Sequence, residues 1–132
     1  MGHVEVGVAL DTNRLSDMFN GDALLGSFLG TCSDVRVPLM VLAELKAGFY
    51  GGNRQAQNEE FVRLFLAKST VSVIYPGRET ADQYARLYLQ LKRIGQPIPV
   101  NDMWIAAMAI EHDLTLITRD KHFDCIPQLR LG

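Results

Sequence analysis

Four acidic side chains stand where the chain passes into or out of apolar segments. Asp11 directly follows the apolar run that ends at Leu10, and Asp120 comes two residues after LTLIT. Asp102 stands at the start of MWIAAMA, and Glu44 lies within VPLMVLAELKAGF. Taken alone, each has an ordinary explanation, as a helix cap (Asp11, Asp102), a turn residue (Asp120) or a solvated side chain (Glu44). Their significance depends on whether the fold brings them together.

A cluster of these four carboxylates would require a cation. Carboxylates held close together repel one another and cannot all stay ionised unless a positive charge lies between them. The two cysteines, Cys32 and Cys125, have no metal-ligand spacing, so the hard oxygen ligands favour Mg²⁺ or Mn²⁺. Such an ion activates a bound water and stabilises in-line attack on a phosphodiester. If the acids converge, they predict metal-dependent phosphodiester hydrolysis.

The elements that would position the acids alternate between strands and helices. Alternating or continuous apolar runs predict strands at 4–10, 35–37, 70–75 and 114–118, with an edge strand at 129–131. Helical spacing and capping residues predict helices at 14–19, 23–30, 39–50, 53–68, 79–94 and 102–112. This alternation indicates an α/β fold whose parallel sheet is covered on both faces and joined by right-handed crossovers.

A sheet of this kind places the four acids at one edge. Functional groups of open parallel sheets gather outside the carboxyl ends of the strands. Asp11 and Asp120 follow strands, and Glu44 lies near the second turn of the helix that leaves a strand. The helix that begins at Asp102 runs back toward the amino ends before LTLIT, so its start lies at the carboxyl edge too. The topology therefore predicts that all four acids meet.

Length and composition limit the classes of protein and partner. A chain of 132 residues, 48% hydrophobic and 21% charged, predicts one domain. No apolar run reaches the roughly 20 residues of a membrane span, and no leader pattern opens the sequence, so we expect a cytoplasmic protein without a membrane partner. The net charge of −2 gives no general attraction to nucleic acid. Arg14, Lys46, Arg119 and Lys121 could bind RNA phosphates locally or form surface ion pairs.

Four linked motifs extend over nearly the whole chain and resemble one family. They are LDTNRLSD, VPLMVLAEL, PIPVNDMWIAAMA and LTLITRDKHFDCIPQLRL, in that order. Together they resemble PIN-domain ribonucleases of the VapC toxin type. The resemblance implies a single PIN domain over residues 1–132, with a three-layer fold and a parallel sheet in the order 3-2-1-4-5 flanked by helices. It also implies an Mg²⁺- or Mn²⁺-dependent endoribonuclease that acts on RNA, serves as the toxin of a type II module and is blocked by a cognate VapB-like antitoxin.

The resemblance also assigns catalytic roles by position. Asp11 and Asp102 would be the principal metal ligands. Glu44 and Asp120 would complete the acidic quartet, directly or through water, with Asp120 counted among the metal ligands.

Other positions would support the quartet or depart from the family pattern. The resemblance implies that Thr118 braces the site by hydrogen bonding, and that Asn13 and Asn101 are supporting groups. Arg14 stands where many members are apolar, and Asp113 stands where a glycine often ends the helix. Aspartate tolerates a left-handed cap, so the fold need not change.

Several other side chains are expected to be structural. His112 and His122 are expected at the surface, because no serine or cysteine nucleophile accompanies them in a recognisable motif. Trp104 is expected in the core, and Tyr84 and Tyr88 in the core or a dimer contact, because they lie on apolar helical faces. By resemblance, exposed apolar residues on the helices that flank TVSVIY predict a homodimer.

Two other classes of function compete with the nuclease. One is a catalytically silent PIN-fold module that binds antitoxin or RNA, although pure binding gives no physical reason to keep four repelling acids. The other is a phosphotransfer or receiver domain that uses Asp11 as the acceptor. The second acid expected of that class is replaced by Asn13, and no lysine follows a late strand in the expected place.

Overall fold

A five-stranded parallel sheet lies at the centre of the computed structural model, which describes residues 6–132. Its strands are β1 (Val8–Leu10), β2 (Val35–Pro38), β3 (Val71–Ile74), β4 (Thr115–Ile117) and β5 (Arg130–Leu131). They are arranged in the order β3-β2-β1-β4-β5, with all neighbours parallel. The predicted sheet order is confirmed. The first strand is shorter than predicted because its pairing with β2 and β4 begins at Val8, and residues 4 and 5 of that prediction lie outside the described residues.

Six α-helices flank the sheet in the described part of the chain. They are α1 (Thr12–Phe19), α2 (Ala23–Gly30), α3 (Leu39–Phe49), α4 (Gln55–Leu66), α5 (Arg78–Arg93) and α6 (Val100–Glu111). Each lies within one or two residues of its predicted bounds. A short 3₁₀ helix, Lys121–Cys125, follows β4 and was not predicted.

The turn between α6 and β4 uses an aspartate in a left-handed conformation. Asp113 has φ 55°, and its amide donates to the Ile110 carbonyl at 3.2 Å. The Leu114 amide donates to the Ala109 carbonyl at 2.8 Å. This pair of bonds is the Schellman pattern that usually employs glycine. The departure from glycine at this position therefore leaves the turn intact.

The core explains why α6 is apolar nearly all round. Residues 105–109 of this helix are all buried, and α5 packs against it. Trp104 is partly buried and its ring lies 4.4 Å, centroid to centroid, from the ring of Tyr84, whereas Tyr88 on the same helix as Tyr84 is exposed. Core packing thus holds α6 rigidly, which fixes the position of its first turn. Over residues 6–132 the structure contains no helix with the length and apolar character needed to cross a membrane.

Candidate active site

The four acids predicted from the sequence lie around one cleft of about 520 Å³. The cleft lies beyond the carboxyl ends of β1 and β4, between the starts of α1 and α6. Its lining comprises Asp11, Thr12, Asn13, Glu44, Pro99, Val100, Asn101, Asp102, Asp120 and His122. The fold therefore brings together acidic side chains from four separate segments, as the topology predicts.

Asp11 is both a helix cap and the most buried acid of the cleft. The residue is only 4% exposed. Oδ1 accepts a hydrogen bond from the Arg14 amide at 2.9 Å, which caps α1, and Oδ2 accepts one from the Thr118 hydroxyl. Burial raises the pKa of Asp11, and the nearby charge of Asp120 raises it further, against the opposing effect of the two hydrogen bonds. The capping explanation is thus correct but incomplete, because the same carboxylate also faces the cleft.

Thr118 connects the ends of the two central strands. Its hydroxyl donates to Asp11 and accepts from the Asp120 amide at 3.0 Å. Asp120 in turn caps the 3₁₀ helix, because its Oδ1 accepts from the His122 amide at 3.0 Å. One hydroxyl therefore fixes the relative position of two acids that are far apart in the sequence.

Asp102 lies in the first turn of α6, but it is not the cap of that helix. The capping position is occupied by Pro99, whose side chain makes no capping hydrogen bond. The pKa of Asp102 is raised, chiefly by burial and further by the charges of Asp120 and Glu44, while His122 opposes the rise. The ordinary explanation of Asp102 as a capping group is therefore wrong, and its carboxylate faces the cleft.

Like Thr12, His122 is a residue of the cleft that sequence reasoning missed. Its side chain is 52% exposed, as expected of a surface histidine, yet Nδ1 lies 3.3 Å from Asp102 Oδ2 and 3.2 Å from Asp120 Oδ1. The unpredicted 3₁₀ turn brings this ring back over the acid that precedes it by two residues. The buried Phe123 next to it is the one sequence signal of that turn, because it is an isolated aromatic in a polar segment.

Glu44 lies at the exposed rim of the cleft. Its Oε1 accepts a hydrogen bond from the Thr12 hydroxyl at 2.8 Å. Lys46, two residues later, pairs instead with Glu59 at 3.2 Å. The ion pair of Lys46 is therefore with Glu59 rather than with Glu44. The partner of Glu44 is a hydroxyl in the first turn of α1, which holds the carboxylate toward the other acids.

The arginines beside the cleft are paired with acids. Asp17 accepts from Arg119 Nε at 2.9 Å and from Arg14 at 3.0 Å, and Arg14 also lies 3.4 Å from Asp22. The hydrogen bond from Arg119 is the main reason that the pKa of Asp17 is lowered. Of the two roles considered for Arg14 and Arg119, the structure shows the surface ion pairs. RNA binding by these arginines stays a prediction.

Comparison with known proteins identifies the family to which this chain belongs. The sequence model of the PIN domain matches residues 8–129. This chain belongs to the PIN domain family. It is 30% identical over 118 residues to Ribonuclease VapC1 of Haemophilus influenzae strain R2866, covering 89% of this chain and 78% of that protein. It is 32% identical over 98 residues to Ribonuclease VapC2 of Rickettsia felis, covering 74% and 72% respectively.

Solved structures agree with this PIN domain over nearly its full length. The VapBC2 complex from Rickettsia felis, bound to a promoter DNA fragment, matches with a TM-score of 0.86 at 27% identity, covering 95% of this chain and 96% of that one. VapBC-1 from nontypeable Haemophilus influenzae matches with a TM-score of 0.81 at 27% identity, with the same coverage. The three-layer α/β architecture predicted from the sequence is thus that of the family.

The donor groups of this PIN domain fit a divalent cation. Asp102, Asp120 and His122 each offer one ligand atom, and these atoms all lie within 4.8 Å of one another. The carboxylate of Asp11 is close enough to Asp120 for their charges to interact. Crowded carboxylates with raised pKa values are stabilised by a proton or a cation, and at neutral pH a hard divalent cation is the better match to carboxylate oxygens.

Proposed function

We propose that this protein is a metal-dependent endoribonuclease that hydrolyses RNA phosphodiester bonds, and that it is the toxin of a type II toxin–antitoxin module in the cytoplasm. The observation that carries the proposal is the meeting of Asp11, Glu44, Asp102 and Asp120 around one cleft in a PIN domain. The ribonuclease relatives support the choice of RNA as substrate.

Asp11, Asp102 and Asp120 are the proposed ligands of Mg²⁺ or Mn²⁺. A cation held there would supply a Lewis acid that activates water and stabilises the negative charge of the transition state. In the overall reaction, water adds across one P–O bond of the RNA and leaves a phosphate at one end and a hydroxyl at the other. Among the described residues, the lining of the cleft includes no serine or cysteine nucleophile that would require a covalent intermediate.

The side chains of the cleft are held in place before substrate arrives. Both oxygens of Asp11 are fixed by hydrogen bonds, so little reorganisation is needed when it meets a positive charge. Glu44 holds one oxygen against Thr12, and its other oxygen can accept a hydrogen bond from water in the cleft. Asn13 and Asn101, exposed at the same cleft, are proposed as supporting groups that can donate to substrate oxygens.

Removal of divalent metal tests the nuclease proposal directly. Purified protein incubated with labelled RNA is expected to cut it in Mg²⁺ or Mn²⁺, and to leave it intact when EDTA is in excess. Metal should also stabilise the native protein, by about 2.7 kcal/mol at a concentration one hundred times its dissociation constant, because the unfolded chain lacks the assembled site. Thermal melting with and without metal measures that shift.

The silent-module alternative predicts a different result. A protein that binds antitoxin or RNA tightly but cuts no RNA in either metal would be a binding module, and the nuclease proposal would then be wrong. Transient phosphorylation of Asp11 would instead favour a phosphotransfer function. For substitutions of the cleft acids, Asp82→Asn is a suitable control, because it removes the charge of an exposed acid on α5 that does not line the cleft.

The variant Thr118→Val tests whether the brace between the two strands matters. It removes a hydroxyl that makes two hydrogen bonds while nearly conserving volume. We expect a stability loss of about 1–3 kcal/mol in chemical denaturation. We expect a fall of about 10–100-fold in metal affinity or cleavage rate, because groups that orient metal ligands have effects of this size. Thr118→Ser should retain most of both properties, and wild-type behaviour of the valine variant would exclude a bracing role.

We also propose that the protein binds a VapB-like antitoxin and forms a homodimer. The similar solved structures include VapBC complexes, which supports the antitoxin partner. Apolar side chains are exposed on the two helices that flank β3, namely Phe61 and Leu64 on α4, and Tyr88 and Leu89 on α5. Apolar groups of this kind favour burial against a second copy.

A further inference from the structure

The position of His122 in the cleft is fixed by two neighbouring residues, Asp120 and Phe123. Its amide donates to Asp120, so the first turn of the 3₁₀ helix folds the ring back over that carboxylate. Phe123, which is fully buried, anchors the same turn in the core. The ring nitrogen Nδ1 consequently lies between two carboxylate oxygens that belong to different elements, at 3.2 Å from Asp120 and 3.3 Å from Asp102.

These separations suit donor atoms that share one cation. Ligands that bind a small divalent ion at about 2.1 Å and at right angles to each other are separated by about 3.0 Å. The two separations between the nitrogen and a carboxylate oxygen, 3.3 Å to Asp102 and 3.2 Å to Asp120, are close to that value, and one oxygen of each carboxylate lies within 4.8 Å of the other. Imidazole nitrogen is also among the commonest protein ligands of transition metals.

We propose that His122 is a nitrogen ligand of the site's cation and that it makes the protein prefer Mn²⁺ to Mg²⁺. Nitrogen donors add affinity for transition metals along the Irving–Williams order, whereas Mg²⁺ prefers oxygen donors and retained waters. The acids alone form an all-oxygen set, so the selectivity between the two ions comes from this ring. The inference rests on the metal site of the proposed function.

Pulsed electron paramagnetic resonance on Mn²⁺-loaded protein tests the ligand directly. Coupling of the Mn²⁺ electron spin to a directly bound imidazole nitrogen is expected in the wild type and absent in His122→Ala. His112→Ala is the matched control, because His112 lies beyond the far end of α6, about 15 Å along the helix from Asp102. That control is expected to retain the nitrogen signal.

Calorimetric titration with Mn²⁺ and with Mg²⁺ provides the second measurement. His122→Ala should weaken Mn²⁺ binding by about tenfold or more, because loss even of groups that only orient metal ligands lowers metal affinity by about 10–100-fold. Mg²⁺ binding should change much less. His122→Gln, which keeps a polar side chain of similar size, should show the same loss of nitrogen coupling and guards against a folding defect in the alanine variant.

The outcomes separate this inference from the proposed nuclease. If wild-type protein binds Mn²⁺ and cuts RNA but shows no nitrogen coupling, or if the coupling survives in His122→Ala, the histidine inference is wrong and the nuclease stands. If the wild type binds neither ion, the proposed metal site fails, and the histidine inference fails with it. Coupling lost only in the His122 variants supports the assignment.

Discussion

Asp11→Asn should lose RNA cleavage by at least about 100-fold while remaining folded. Asparagine keeps the shape of the side chain, and its oxygen can still accept from the Arg14 amide that caps α1. It loses the negative charge proposed to hold the cation. Substitution even of groups that only orient metal ligands lowers metal affinity or activity by about 10–100-fold. Gel assays of RNA cleavage in saturating Mn²⁺ measure the loss, with Asp82→Asn as the control at wild-type activity.

The metal-free form of Asp11→Asn should be at least as stable as the wild type at neutral pH. Burial raises the folded-state pKa of Asp11 above its ordinary 3.8, so the folded state binds more protons than the unfolded state between these two values. Stability is therefore lost as pH rises through that window, and the cost is fully present at pH 7. Asparagine avoids this cost, so any advantage of the variant should disappear below the unfolded-state pKa.

Melting temperatures of both proteins in EDTA, measured from pH 7 down to about pH 3, test that reasoning. A strongly destabilised variant at pH 7 would show that the hydrogen bond from Thr118, which the asparagine NH₂ group cannot accept, stabilises the protein more than the buried charge destabilises it. Retained cleavage with normal metal dependence would remove it from the proposed ligand set. Either result would be clear, because the variant conserves volume.

Phe123→Ala should be the most damaging substitution near the site for folding. The ring is 0% exposed, and removal of a buried phenylalanine side chain costs about 3–5 kcal/mol through lost burial and the cavity that remains. It also frees the 3₁₀ helix that carries His122 and is capped by Asp120. Metal affinity should therefore fall together with stability.

Urea denaturation of metal-free protein measures the stability loss, with Phe28→Ala as the matched control. Phe28 is 44% exposed on α2, so its replacement should cost much less. Phe123→Leu should fall between the two. A loss below about 1 kcal/mol for Phe123→Ala would show that the 3₁₀ helix is anchored by other contacts.

The fold was predictable because local patterns and sheet topology agree. Valine-rich and apolar runs form the strands, and their alternation with helices leaves a parallel sheet as the natural arrangement. The order of the strands came from the family resemblance rather than from the patterns. Strand bounds were less accurate, because apolar residues at strand ends look the same whether or not they pair with a neighbour.

The acids of the cleft were predictable for a related reason. Asp11 and Asp120 follow central strands, so the rule for carboxyl edges applies to them directly. The contacts of His122 were not predictable, because a 3₁₀ turn of five mostly polar residues has no helical periodicity and its position depends on one buried aromatic. Of the two capping explanations that the sequence allowed, the one for Asp11 is correct and the one for Asp102 is wrong, because α6 begins directly after Pro99, before the acid.

Anomalous diffraction from crystals of the protein loaded with Mn²⁺ tests the central claim most directly. The claim is that carboxylates from distant parts of the chain meet in order to hold one divalent cation. We predict an anomalous peak in the cleft, within bonding distance of Asp11, Asp102 and Asp120. Crystals in which Mn²⁺ binds only elsewhere, while these carboxylates contact no ion, would contradict the account.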